Sequence, residues 1–162
     1  SFSKSIGQLM KEGQKVFLNK TDEEILDAGE ERDRKQIKDE LGINVPKLIY
    51  KPEGMEYETY ELDDKIQRAK MEYLTKDEKY YYVYMNKKSV DTQEVMEIDG
   101  KVVDQHLLSV KYLEKGVKVE HIEEENGKSL YKADFYYNNV YYLFIGEMEK
   151  EEFDEIIKKM IF

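Results

Sequence analysis

The amino-acid sequence predicts an α+β domain in which a curved antiparallel β-sheet meander of about eight strands carries N-terminal helices and one C-terminal helix packed on it. Three observations carry this reading. Helical periodicity is confined to the two ends of the chain, and both prolines, Pro46 and Pro52, fall together where the first helical region stops. The residues after them form short β-branched or aromatic runs separated by turn formers.

Taken in order, Phe2, Ile6, Leu9, Met10, Val16 and Phe17 recur at the spacing of an amphipathic helix, so Ser3–Leu18 reads as helical. Thr21 followed by Glu24 has the form of a capping box and Gly42 that of a C-terminal stop. A second helix over Asp22–Leu41 follows, with solid charge across Glu30–Lys35. From Val45 to Gly54 the two proline rings bar helix and favour extended chain. Strands are then expected at Glu56–Leu62, Lys65–Leu74, Tyr80–Met85, Glu94–Ile98, Lys101–Val103, His106–Leu113, Val117–Ile122, Leu130–Tyr137 and Val140–Ile145. The links Asp63-Asp64, Asp99-Gly100, Asn126-Gly127 and Asn138-Asn139 tolerate the positive φ of tight hairpins, which makes a meander the natural assembly. Tyr131, Ala133, Phe135 and Tyr137 alternate with Lys132 and Asp134, giving that strand one dry side. Phe153, Ile156, Ile157, Met160 and Ile161 line one stripe of a closing helix near Glu151–Met160, which must cover part of the sheet. Residues 1–162 are read as one domain, with 1–42 a helical lead-in and 43–162 the sheet plus its last helix.

Composition narrows the function classes. A formal net charge of -10 without a basic run argues against nucleic acid and against electrostatic attraction to anionic lipid. The absence of cysteine removes disulfides, thiolate catalysis and cysteine zinc sites together. No run approaches the about eighteen apolar residues that a membrane span needs. The chain starts at Ser1 rather than Met, from which an upstream signal or anchor is expected.

The charged helical lead-in, the Pro46–Gly54 segment, the hairpins and the closing Tyr141-Tyr142-Leu143-Phe144-Ile145-Gly146 strand before Glu149–Ile161 together resemble the bacterial domain-of-unknown-function family 4367. The resemblance covers about Ile43–Phe162. Its most telling element is the strand ending in Gly146 that runs into an acidic, then apolar, C-terminal helix. The chain departs from the usual pattern at Lys51-Pro52-Glu53-Gly54-Met55, where Glu56 follows instead of an aromatic residue. The family implies an extracytoplasmic domain of a membrane-anchored Gram-positive protein, lipoproteins included, with some members linked to anti-sigma regulation. It brings no catalytic residues.

Motifs for chemistry are sparse. His106 and His121 could meet across a hairpin with Glu120 or Glu123 as metal ligands, but the spacing has no motif value and ordinary strand histidines are expected. No cofactor is expected. Carboxylates such as Asp63, Asp64 and Glu123–Glu125 read as solvated turns. Ser109 sits inside a strand without a nucleophile elbow, and phosphate-binding glycine loops are absent. The runs Tyr80–Met85 and Phe135–Tyr137 place rings on both faces of their strands, one for the core and one for an exposed aromatic surface. Tyr80, Tyr82, Tyr84, Tyr136 and Tyr142 are therefore the candidate ligand-binding residues. The expected function is a non-enzymatic, extracytoplasmic interaction or sensing domain, regulatory in character, whose partner is a protein or a small apolar ligand. An apolar-ligand carrier is the alternative, and a carboxylate-based hydrolase ranks below both. Contact with a membrane is expected only through an anchor.

Overall fold

A computed structural model describes residues 22–87 and 100–162. The helix expected over Ser3–Leu18, the Thr21 cap and the strand expected over Glu94–Ile98 lie outside these residues. Helix α1 (Asp22–Leu41) carries lateral pairs on its exposed side, including Lys35 with Asp39 at 2.6 Å and Gln36 with Glu40. Pairs of this spacing each add about 0.2–0.5 kcal/mol to a helix. It ends where expected: Gly42 takes φ 65°, and its N–H bonds the Lys38 carbonyl at 2.8 Å. The chain then runs back extended. Arg34 fixes its course by donating from Nε to the Pro46 carbonyl at 3.0 Å and from Nη2 to the Val45 carbonyl at 2.7 Å.

Seven strands follow: β1 (Glu56–Asp63), β2 (Arg68–Leu74), β3 (Tyr80–Asn86), β4 (Lys101–Val110), β5 (Lys115–Glu123), β6 (Ser129–Tyr137) and β7 (Val140–Gly146). Two of the expected segments, Lys101–Val103 and His106–Leu113, merge into one strand that ends at Val110, and Lys111–Leu113, expected as strand, belong to the turn closed by the Glu114 N–H on the Lys111 carbonyl at 3.1 Å. The register shift between Val102 and Asp104 is a bulge that carries the strand through Asp104 and Gln105. Lys65–Gln67, expected as strand, forms a turn in which Asp63 Oδ1 accepts the Lys65 and Ile66 N–H groups at 3.0 and 3.4 Å. The Asn138-Asn139 hairpin has the expected form, with both residues at positive φ.

The sheet order is β1-β2-β3-β7-β6-β5-β4, with antiparallel pairing throughout. This corrects the simple meander. The chain leaves β3, builds β4 to β7 from the far edge inward, and lays β7 against β3. The reason is in β7 itself, whose seven residues are all buried. A strand without a polar face is more stable at the centre of a sheet than at its edge.

Helix α2 (Lys150–Lys159) closes the fold on the same face as α1. Phe153, Ile156 and Ile157 are fully buried on that face, and burial of such side chains contributes about 1.5–3 kcal/mol each. Beneath them run two cross-strand rows, Tyr60-Met71-Val83-Phe144-Ala133-Val119 and Tyr57-Tyr73-Tyr81-Gly146-Tyr131-His121. Gly146 has a steric reason: a Cβ there would lie 2.5 Å from Cδ2 of Tyr81, its cross-strand partner. The glycine lets the Tyr81 ring lie across β7 to meet Phe153 at 5.9 Å. After α2 the chain end is held in a two-sided bridge with the extended segment, Lys47 N to Ile161 O at 2.7 Å and Ile161 N to Lys47 O at 3.1 Å.

Candidate functional site

Side-chain parity sorts the aromatic residues. In β3, Tyr81, Val83 and Met85 point under the helices while Tyr80, Tyr82 and Tyr84 point to the opposite face. Among the described residues both helices dock on the first face. The second face is built from two further rows, Thr59-Glu72-Tyr82-Ile145-Lys132-Glu120 and Glu61-Lys70-Tyr84-Leu143-Asp134.

On this face the β3 tyrosines form a ladder. The Tyr80 and Tyr82 rings stack with centroids 5.6 Å apart and planes 5° apart, and Tyr84 continues at 6.0 Å, tilted by 55°. Lys70 lies over the ladder, 5.0 Å from the Tyr82 centroid and 5.9 Å from that of Tyr84. Its ammonium pairs with Glu72 at 2.8 Å and Glu61 at 3.4 Å. Burial pulls the Lys70 pKa down, but the Glu72 hydrogen bond and the fields of Tyr84, Glu72 and Glu61 outweigh it, so the pKa rises. Burial pushes the Tyr84 phenol up to about 12 and also raises Tyr82, so both hydroxyls stay neutral donors near neutral pH.

Leu143 and Ile145 run between this ladder and a second polar-aromatic group on β6 and β7. There Tyr141 donates to Asp134 at 2.6 Å, the Tyr136 and Tyr141 rings lie 5.3 Å apart, and Lys132 pairs with Glu120 at 3.1 Å. Tyr80 and Tyr136 are the most open rings of the two groups, at 49% and 50% exposure. Two strand spacings, about 10 Å, separate β3 from β6, and the register sets Tyr80 and Tyr136 at opposite ends of β7, about 20 Å apart along the strands.

Four of the five sequence-selected tyrosines, Tyr80, Tyr82, Tyr84 and Tyr136, therefore share one face. Tyr142 does not. It has the parity of Phe144, is fully buried on the helix-covered side, and packs its ring on Phe135 at 5.7 Å and Phe162 at 5.0 Å. Its hydroxyl donates to the Asn44 carbonyl. Lys70, Glu72, Asp134 and Tyr141 were not selected from sequence, because they enter the face only through strand register.

The histidines lie on adjacent strands under α2. Val119, the cross-strand partner of His106, sits two residues before His121. Each histidine has its own partner: His106 Nε2 lies 2.9 Å from both carboxylate oxygens of Asp154, and His121 Nε2 lies 2.5 Å from Ser129 Oγ with its ring on Tyr131 at 4.6 Å. Among the described residues no group of three or more His, Cys, Asp or Glu side chains is arranged to hold a metal ion. No described helix is long and apolar enough to cross a membrane.

A seven-stranded antiparallel sheet with the described helices on one face and an aromatic ladder on the other defines an α+β domain in which the second face is buried at Leu143 and Ile145 and opens to solvent at Tyr80 and Tyr136. Residues 45–160 match the model of a domain of unknown function, DUF4367, and the chain belongs to that family. The match takes in all seven strands and the whole of α2, and it leaves α1 outside. No curated protein and no solved structure matches the chain.

Proposed function

We propose that this chain is a non-enzymatic interaction or sensing domain that works outside the cytoplasm of a membrane-anchored bacterial protein, and that it engages a protein partner through the face bearing Tyr80, Tyr82, Tyr84 and Tyr136. The observation that carries the reading is the arrangement of that face. Tyr80 and Tyr136 open to solvent at the margins of a face whose central Leu143 and Ile145 are already buried, and Lys70 and Lys132 are paired with neighbouring carboxylates. Stacked rings fixed by their neighbours lose little conformational freedom on binding, and tyrosine supplies apolar area and a hydroxyl together. Half-open tyrosine rings beside charges neutralised in place suit a protein surface, whereas a polyanion would require unpaired cations. The extracytoplasmic and regulatory parts of the reading rest on the family resemblance.

The test places a photo-crosslinking amino acid at position 80 or 136 in intact cells, identifies the captured protein, and measures its binding to the purified domain. Tyr80→Ser and Tyr136→Ser are each expected to weaken binding by about tenfold, the loss typical of a central interface residue, with an unchanged melting temperature. Equal loss from substituting Ile49, which is exposed in the extended segment away from the sheet face, or no loss from either tyrosine, overturns the reading. A lipid retained by the domain in native mass spectrometry, released when α2 is loosened, supports the apolar-ligand carrier instead.

A further inference from the structure

Helix α1 is attached to the sheet in an unusual way. Its described inward positions are Gly29, Glu30, Asp33, Ile37 and Leu41, so two of the five are carboxylates and only Ile37 and Leu41 are large apolar side chains. Glu30 and Asp33 are nearly inaccessible, at 4% and 6% exposure. Glu30 accepts from the Tyr73 hydroxyl of β2 at 2.6 Å and from Lys51 Nζ at 2.5 Å. Asp33 accepts from the Tyr57 hydroxyl of β1 at 2.8 Å. The Tyr57 and Tyr73 rings meet edge to face at 5.3 Å, so the two contacts share one aromatic support.

We propose that α1 is a releasable, proton-sensitive latch on the β1–β2 edge, held along its described part by buried carboxylate–tyrosine contacts together with Ile37 and Leu41. Polar contacts of this kind are strong while water is excluded and weak once water replaces them, which makes docking of the helix close to all-or-none. Release uncovers Tyr57 and Tyr73 and leaves the central β3–β7 pair intact. Helix α1 lies outside the matched residues 45–160, since it ends at Leu41.

The sign of the proton dependence comes from Asp33. The groups around it are Tyr57 and Tyr60 on β1, Arg32 on its own helix, and the neighbouring set of Glu30, Tyr73 and Lys51. Burial raises the Asp33 pKa above its ordinary value of 3.8, and this outweighs the lowering by the Tyr57 hydrogen bond and by the Arg32 charge. A carboxyl with a raised pKa in the docked state adds stability that is complete below its undocked pKa and is lost as pH rises through its docked pKa. The latch therefore tightens as pH falls toward the ordinary carboxylate value and loosens as pH rises through the raised docked value.

Hydrogen exchange of the whole chain, corrected for intrinsic rates, tests this. The amides of residues 30–41 are expected to be less protected than those of β7, and their protection should rise between about pH 7 and about pH 4. In Asp33→Asn the ratio of protection at the two pH values should fall to about one. Glu30→Gln, which removes the ion pair with Lys51, should lower protection while keeping the acid trend. Ile37→Ala should lower it equally at both pH values. Protection of α1 equal to that of β7 at every pH, or an acid trend that survives in Asp33→Asn, overturns the proposal.

Discussion

Three buried tyrosines on the helix-covered face, Tyr57, Tyr73 and Tyr81, occupy one cross-strand row but have different hydroxyl environments. Tyr73 donates to the Glu30 carboxylate at 2.6 Å, whereas the Tyr81 hydroxyl is buried without a hydrogen-bond partner among the described residues. Replacing each by phenylalanine removes the same atom with opposite consequences. Loss of the Tyr73 hydroxyl takes a donor from a buried carboxylate, which costs about 1.5–3 kcal/mol for a hydrogen bond to a charged group. Loss of the Tyr81 hydroxyl removes an uncompensated desolvation penalty, so Tyr81→Phe is expected to be neutral or to stabilise by about 1 kcal/mol. For a domain of this size each 1 kcal/mol moves the melting temperature by about 2–4 °C, so the two variants should differ by roughly 3–16 °C. Urea titrations would read the same contrast in the midpoint, with the slope unchanged. If Tyr81→Phe destabilises as much as Tyr73→Phe, the Tyr81 hydroxyl is satisfied and the reasoning fails.

Gly146→Ala drives a methyl against the Tyr81 ring at 2.5 Å and should cost about 1–3 kcal/mol, as overpacking in a core does; an unchanged urea midpoint would show that the ring shifts freely. Alkali should unfold the domain by way of its tyrosines. Burial pushes Tyr57, Tyr73 and Tyr81 well above the ordinary value of 10.0. A raised pKa in the folded state gives stability that is complete below the unfolded value and lost as pH rises above it. In an absorbance titration, part of the tyrosinate signal from the 14 tyrosines should thus appear only together with loss of secondary structure; a single smooth titration with the fold intact would contradict this.

Much of the architecture was legible in the chain because its signals are local. Gly42 stops α1, Asn138 and Asn139 turn the last hairpin, and the Phe153, Ile156 and Ile157 stripe docks α2. Alternation likewise sorted Tyr80, Tyr82 and Tyr84 from Tyr81 and Val83. Alternation could not show which parity faces the helices in β7, where every residue from Val140 to Gly146 is apolar, aromatic or glycine and all are buried. Tyr142 was consequently grouped with tyrosines of the other face. The pairing of β3 with β7 in place of β4 was equally hidden, since a strand's neighbour is decided by the whole sheet's need to bury its most apolar member. Across Glu30–Lys35 the sequence shows only a run of charge. Burial of Glu30 and Asp33 depends on the hydroxyls of Tyr73 and Tyr57, 43 and 24 residues away along the chain. A carboxylate can leave water only where folding supplies its donors, and that supply exists in the tertiary structure alone.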